Sequence, residues 1–309
     1  MRAPVLASSV ALGLVLTGCT VAPKAIKRNY TTYNHTIHYN QSQQMLLNLV
    51  RLRYRESPMF LKVGAVSTSY TFDVSGGASV GHSFGEGTWG VNAGGGYSER
   101  PTVTYTPIEG DTFVKQMLAE VNMSSFVLLY RSGWPITALC YVLVEKIGPR
   151  VNNTASPTYE DFVDLVRQLQ EAQDRGDLEI VAHGEKIFLQ LEDKTLGMDM
   201  ATEMIPLENV QTRSFVDVMF YLAKNTQVPE SHRDQVKATE SNGWLNIRHT
   251  NNAPNDAMVF VQYNGHFYSI GRSDIRSKDT FALLKLVFQM QAGDIKSVEP
   301  VLTLPIATP

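Results

Sequence analysis

The sequence predicts an α+β fold in which helices pack on short antiparallel sheets, with one long amphipathic Gly/Ser-rich β-hairpin over about residues 66–105. Three observations carry this prediction. Segments with the apolar period of a helix recur along the chain. Short β-rich runs bounded by turn signals lie between them. Strict alternation of apolar and small polar residues, typical of paired strands, runs through 66–105.

Periodicity and helix breakers place the helices. Ser57-Pro58 stops the first segment, and Gly133 with Pro135 interrupts a long apolar segment that we expect to be buried. The predicted helical segments are 44–58, 112–121, 124–148, 158–176, 212–226 and 277–293.

Cap residues and turn pairs refine these bounds. Asp111, Thr158 and Ser277 are expected to cap helix starts, and Gly176 and Gly293 to close helix ends. Two short hairpins are predicted as well, at 178–192 with a turn at His183-Gly184 and at 257–270 with a turn at Asn264-Gly265.

The first residues have the pattern of a secretory signal peptide. Met1-Arg2 gives a positive start, and the apolar stretch Val5–Leu16 is too short to span a membrane as a mature helix. The motif Leu-Thr-Gly-Cys at 16–19 resembles the bacterial lipobox; a chance match behind an ordinary signal peptide is the alternative.

The lipobox resemblance implies that residues 1–18 are removed and that Cys19 carries several acyl chains, which together anchor a protein stably. Thr20 stands where the resembling proteins use Asp for retention at the inner membrane. We therefore expect a bacterial outer-membrane location, with a polar tether at 19–43 and a periplasmic α+β body at 44–309.

Composition and motifs exclude several classes of function. The net charge of −3 gives no basic field for nucleic acid. No G-x-S-x-G elbow, P-loop or H-E-x-x-H is present. His35 and His38 lie in the expected tether, where a solvated pair is favoured over a metal site. With Cys19 acylated, Cys140 is expected to be a buried, inert thiol. The sequence thus predicts no catalytic residue, no metal site and no cofactor.

The alternation of apolar and small polar residues within 66–105 gives the predicted hairpin two different faces. A turn at Glu86-Gly87 would place Phe84 opposite Trp89 and Gly76 opposite Tyr97, with apolar members on one side. The expected membrane or partner face consists of Tyr70, Phe72, Val74, Val80, Phe84, Trp89, Val91 and Tyr97.

Charge and length make this hairpin a candidate membrane element. Between Asp73 and Glu99 the sole formal charge is Glu86, and the uncharged run matches the roughly 9–11 residues of a tilted transmembrane strand. One hairpin cannot span lipid alone, because its edge groups would be unsatisfied. Since small barrels have about eight strands, at least about four protomers would contribute to an oligomeric pore.

Alternatives remain open. The apolar face is weak, because Gly76, Ala78, His82 and Gly95 belong to it. A monomeric periplasm-facing scaffold or assembly lipoprotein, whose hairpin packs on itself or on a partner, is the second hypothesis. An envelope enzyme is the third, since catalytic residues need not be adjacent in sequence. Separately, Arg51 and Arg55 lie one helical turn apart, where they could meet anionic lipid headgroups.

The blocks 43–70 and 266–290 are similar to a group of uncharacterised envelope lipoproteins of Gram-negative bacteria. That resemblance implies a location and no mechanism. The expected function is therefore that of a non-enzymatic structural or export component of the cell envelope. Its expected partners are the membrane, through the lipid, and either further copies of the chain or an envelope protein.

Overall fold

The computed structural model describes residues 31, 34–83, 86–183, 186–192 and 201–293. Cys19, the signal segment 1–18 and Phe84 lie outside these described residues. The described residues divide into two compact units: a body drawn from 31–59 and 109–293, and a hairpin unit drawn from 60–108.

Helices and short antiparallel sheets make up the body, which confirms the predicted α+β class. The helices are α1 (34–53), α2 (Asp111–Leu118), α3 (Met123–Arg131), α4 (Ile136–Leu143), α5 (Tyr159–Arg175), α6 (Phe215–Ala223) and α7 (Ile275–Ala292). The hairpin unit contains β1 (Leu61–Ser83) and β2 (Glu86–Pro107). The strands of the body are β3 (Val144–Ile147), β4 (Arg150–Val151), β5 (Leu178–His183), β6 (Lys186–Glu192), β7 (Ala201–Pro206), β8 (Val210–Thr212), β9 (Arg248–Thr250), β10 (Ala257–Tyr263) and β11 (His266–Gly271).

The sheets of the body, among the described residues, have the strand orders β4-β3-β8, β5-β6-β7 and β10-β11-β9. Helix α6 is central to the helical packing, because it contacts α2, α4 and α7. Its buried side chains Phe215, Val218, Met219 and Leu222 recur at helical spacing. No helix in the described part of the chain combines the length and apolar character needed to cross a membrane.

The tether prediction is wrong for residues 34–43, which are helical and belong to α1. Polar contacts hold this segment on the body. The Gln43 side chain donates to the carbonyl of Phe260 at 3.0 Å, and Lys285 Nζ donates to Ser42 Oγ at 2.8 Å. Because these contacts are polar, the segment shows no long apolar stripe from which a helix could be predicted.

Helix ends were predicted better than helix starts. Gly176 ends α5 with φ 78°, as expected. Helix α7 instead begins before Ser277, because Asp274 is the N-cap and accepts the backbone N–H of Ser277 at 3.1 Å. Asp111 is the first residue of α2 rather than its cap, and Thr158 makes no cap hydrogen bond. Gly110 takes the N-cap position of α2, whereas Thr158 is the N-cap of α5, as predicted.

The register of the long hairpin differs by four residues from the predicted one. Ser83 pairs with Glu86 next to the turn, so Glu86-Gly87 belongs to β2. The pairs Val80↔Trp89 and Phe72↔Tyr97 replace the expected ones. A four-residue shift preserves the alternation on both strands, so the pattern fits either register. Pairing of large apolar residues favours the observed one.

A bulge near the base of the hairpin changes the parity of β1. Val63 pairs with Tyr105 and Ala65 pairs with Thr104, which leaves one residue unpaired between them. Because of this bulge, the positions of Leu61 and Val63 fall on the same face of the hairpin as that of Val66.

The two short hairpins have different outcomes. Asn264 has φ 45° and Gly265 has φ 81°, which confirms the predicted tight turn between β10 and β11. The turn predicted at His183-Gly184 is wrong by one residue, because His183 pairs with Lys186 and therefore ends β5.

We expect Gly176→Ala to lower the free energy of unfolding by about 1 kcal/mol. A Cβ at Gly176 would meet no atom within 4 Å, so the cost comes from the left-handed backbone alone. Urea unfolding of the full-length chain measures this change. Gln168→Ala, on the exposed face of α5, is the control and should shift stability by less than about 0.5 kcal/mol. Equal stabilities would contradict the backbone explanation.

Candidate functional site

The expected interaction face lies along the paired strands of the hairpin, except for Phe84. Its members pair as Tyr70↔Glu99, Phe72↔Tyr97, Val74↔Gly95, Ala78↔Val91 and Val80↔Trp89. The hairpin is a two-stranded sheet, and in the described part of the chain no third strand pairs with β1 or β2. Each outer edge thus carries a row of backbone donors and acceptors that another strand could use.

A buried guanidinium holds the end of α4 in the body. Arg213, only 7% exposed, precedes α6. Its Nη1 donates to the carbonyls of Tyr141 and Val142 at 2.8 and 3.1 Å, and its Nη2 donates to the carbonyl of Asn152 at 3.1 Å. The Asn152 side-chain amide donates to the carbonyl of Val144 at 2.8 Å. Carbonyls in the last turn of a helix lack intrahelical partners, so this pair caps α4.

Burial lowers the pKa of Arg213, and the nearby Tyr221, Glu145 and Asp217 oppose that shift. The guanidinium carbon lies 4.1 Å from the centre of the Tyr221 ring, in a cation–π contact. Burial raises the pKa of Tyr221, so its phenol is neutral at physiological pH.

A cavity of about 360 Å³ is lined in part by Arg213 and Asn152. The carboxylates Glu145, Asp217 and Glu240 share its lining with the cations Arg213 and Lys224. These charges nearly balance, and Arg213 is engaged by carbonyls. The cavity therefore favours neither an anion nor a cation.

A second cavity, which we call the basic groove, has a different charge balance. Its volume is about 300 Å³. Its cations are Arg53, Arg55, Lys224 and Lys237, its apolar residues are Leu52, Phe220 and Ala223, and Asp217 and Thr239 complete the lining. No carboxylate forms an ion pair with any of the four cations among the described residues. Cations thus dominate the basic groove.

Backbone carbonyls hold Arg53 in the wall of the basic groove. Its Nη1 donates to the carbonyl of Lys237 at 2.7 Å, and its Nε donates to the carbonyl of Thr226 at 3.3 Å. Burial is the main cause of a lowered pKa at Arg53, and the charge of Arg55 acts in the same direction. The guanidinium still remains protonated at neutral pH.

Arg55 occupies a backbone conformation that normally favours glycine. Its φ is 64°, and it follows α1 at the position where a helix commonly ends in a left-handed residue. The N–H of Arg55 donates to the carbonyl of Leu52, and that of Glu56 donates to the carbonyl of Arg51. An arginine here costs roughly 1 kcal/mol relative to glycine.

An aromatic cluster surrounds Tyr54, between the two arginines in sequence. The Tyr54 hydroxyl lies 2.7 Å from that of Tyr268 and 2.9 Å from His232 Nδ1. His232 and His266 have ring centres 5.0 Å apart, and His249 follows at 6.1 Å from His266. No group of three or more metal-ligating side chains in the described part of the chain is placed to hold a metal ion. The ring contacts of Tyr54 with Tyr263 at 5.1 Å and with Tyr268 at 6.4 Å pack the end of α1 against the β10-β11-β9 sheet.

The sequence located neither the cavities nor this cluster, because their residues are far apart along the chain. His38 is not simply solvated: Lys285 Nζ lies 3.2 Å from its Nε2, and this charge is the main cause of its lowered pKa. Cys140 is buried, as expected, and burial raises its pKa to about 12. The basic groove includes Arg55 together with Arg53, whereas Arg51 is not in its lining.

Comparisons with known proteins identify no relative: no family model, no curated protein and no solved structure matches this chain.

We expect Arg213→Met to lower the free energy of unfolding by about 3 kcal/mol, because the carbonyls of Val142 and Asn152 would lose the guanidinium donor and that of Tyr141 would keep only the Asn152 amide. Arg276→Met is the matched control, since Arg276 is exposed and lies 5.7 Å from the Trp244 ring. Thermal and urea unfolding of both variants measure the difference. If Arg213→Met lowers the free energy of unfolding no more than Arg276→Met does, the hydrogen bonds of Arg213 to the backbone carbonyls are not needed for stability.

Proposed function

We propose that this chain is an outer-membrane-anchored, non-enzymatic component of the bacterial cell envelope, attached through acyl chains on Cys19, with its body in the periplasm. It acts through the long hairpin, and several protomers each contribute β1 and β2 to an oligomeric pore. The observation that carries this proposal is the length of the hairpin, combined with the finding that no third described strand pairs with β1 or β2.

The dimensions of the hairpin support a membrane-spanning role. β1 has 23 residues and β2 has 22. At about 3.3 Å per residue, each strand is roughly 75 Å long, compared with a hydrocarbon core of about 30 Å. Residues 74–83 pair with 86–95, and Glu86 beside the turn is the one formal charge in this part. Ten paired residues match the span of a tilted membrane strand.

The unpaired edges require additional strands. In lipid each unsatisfied backbone group costs several kcal/mol, so a lone hairpin cannot cross the hydrocarbon core. Identical hairpins from neighbouring protomers would satisfy both edges and close a barrel. At two strands per protomer, a barrel of about eight strands requires about four copies.

A monomeric scaffold or assembly lipoprotein is the second candidate. The same unpaired edges could add a strand from a partner protein. The presence of Gly76, Ala78 and Gly95 in the apolar series favours this candidate, because these residues bury little apolar area in lipid.

Lysine substitutions at two adjacent positions of β1 distinguish the oligomeric pore from the monomeric scaffold. We expect Val80→Lys, in the apolar series, to abolish conductance in planar bilayers, because a lipid-facing lysine near the midplane costs about 2–4 kcal/mol. Ser79→Lys, in the Ser/Gly series, should retain conductance and shift selectivity towards anions. The full-length chain is purified in detergent, and the mass of its native complex is determined in parallel.

A shortened hairpin is the control for this experiment. Deletion of 75–94, with Asn-Gly joining Val74 to Gly95, preserves the observed register, because these two residues already pair. This variant should keep the folded body and lose conductance. A wild-type chain that is monomeric and does not conduct would end the pore proposal in favour of the scaffold.

The lipid anchor is tested separately. We expect cells that express the wild-type chain to label it with a palmitate analogue, and the Cys19→Ser variant to remain unlabelled. Cys140→Ser is the matched control and should still be labelled, because Cys140 is buried in the folded body. Equal labelling of Cys19→Ser and the wild type would contradict the assignment of Cys19.

A further inference from the structure

We propose that the basic groove binds the phosphate group of an anionic ligand, either a phospholipid headgroup or a soluble phosphate ester. The groove lies wholly within the body. Ligand binding in this groove therefore does not depend on whether the hairpin forms a pore.

The excess of positive charge in the groove lining predicts an anionic ligand. The groove lining brings Arg53, Arg55, Lys224 and Lys237 together with one carboxylate, Asp217, which already accepts a hydrogen bond from the Ser214 hydroxyl at 2.6 Å. Asp217 and Lys224 also line the first cavity. The whole chain carries a net charge of −3, so this excess of cations is local. A cleft lined by one sign of charge concentrates ions of the opposite sign.

The donors suit phosphate. Arg53 is held by two backbone carbonyls, so part of its ordering cost is already met before a ligand arrives. In the described part of the chain, its Nη2 and the side chains of Arg55, Lys224 and Lys237 donate no hydrogen bond to the protein. Guanidinium groups match the planar pairs of oxygens that phosphate presents, and ammonium groups add charge.

Arg55 contributes an independent observation. The chain places an arginine in a left-handed conformation that glycine adopts freely, and this residue lines the groove. Residues held in costly conformations cluster at ligand sites, because stability is exchanged there for a functional side chain.

The apolar lining limits the ligand. Phe220 is 39% exposed, and Leu52 and Ala223 lie beside it in the groove. A volume of about 300 Å³ accommodates a phosphate group with a short carbon skeleton. Both sources of phosphate fit this description.

Titration calorimetry on the full-length chain in non-ionic detergent tests the proposal and separates the sources. The probes are inorganic phosphate, glycerol 3-phosphate, short-chain phosphatidylglycerol and short-chain phosphatidylcholine. Saturable binding of glycerol 3-phosphate supports a soluble ester as ligand. Binding of phosphatidylglycerol well above that of glycerol 3-phosphate and phosphatidylcholine supports a lipid headgroup. Absence of binding for every probe, or equal binding of the two lipids alone, overturns the proposal.

Matched variants locate the binding. Arg55→Gln should weaken affinity about tenfold, as expected for loss of one charge-assisted contact. Arg51→Gln removes a guanidinium one turn away, outside the groove, and should leave affinity unchanged. Equal losses in both variants would indicate diffuse surface charge and overturn the assignment.

The Arg55→Gly variant tests whether a loss of affinity could result from misfolding instead of from loss of the Arg55 side chain. Glycine relieves the left-handed backbone, so this variant should raise the urea midpoint while it loses affinity. Retained affinity in Arg55→Gly overturns the role of the Arg55 side chain. The shortened-hairpin variant should bind as the wild type does, which keeps failure of the pore separate from failure of the groove.

Discussion

The buried contact between Arg213 and the end of α4 is the constraint on which much of the body depends. A guanidinium taken out of water loses a large hydration energy, which is recovered only if its donors are satisfied. Arg213 meets that requirement with the carbonyls of Tyr141, Val142 and Asn152. Ser214 follows at once as the N-cap of α6, with its hydroxyl accepting the N–H of Asp217. The contact that ends α4 therefore also determines where α6 begins, and α6 forms a wall of both cavities.

The end of α1 brings three consecutive side chains into different surroundings. Tyr54 enters the cluster with Tyr268 and His232, while Arg53 and Arg55 line the basic groove. Tyr54 and Arg55 follow the last helical residue of α1, and the left-handed conformation of Arg55, with φ 64°, turns the chain where Arg55 joins Arg53 in the lining of the groove. The aromatic contacts hold the helix end in place, and that placement presents the arginines to Lys224 and Lys237. Packing and charge are thus coupled at this point.

The hairpin is governed by a different constraint. A two-stranded ribbon is marginally stable at best in water, because it has few neighbours on which to bury apolar area. Its bulge keeps the apolar series on one face, and its register places large residues opposite one another. These local features specify one ribbon but leave the backbone groups of its outer edges without strand partners in the described chain. The proposed function rests on the physical requirement that something else pair with them.

The sequence alone determined features that depend on neighbouring residues. The α+β class, the Asn264-Gly265 turn, the closure of α5 at Gly176 and the buried thiol of Cys140 all follow from local pattern, propensity or hydropathy. The two alternating faces of the hairpin also follow from pattern, whereas its register does not, because an even shift leaves that pattern unchanged. Helix at 34–43 and the basic groove depend on residues that are distant in the chain, such as Lys285 with Ser42 and Arg55 with Lys224. Only the tertiary structure decided these, because contacts between distant residues leave no periodic signal in a single sequence.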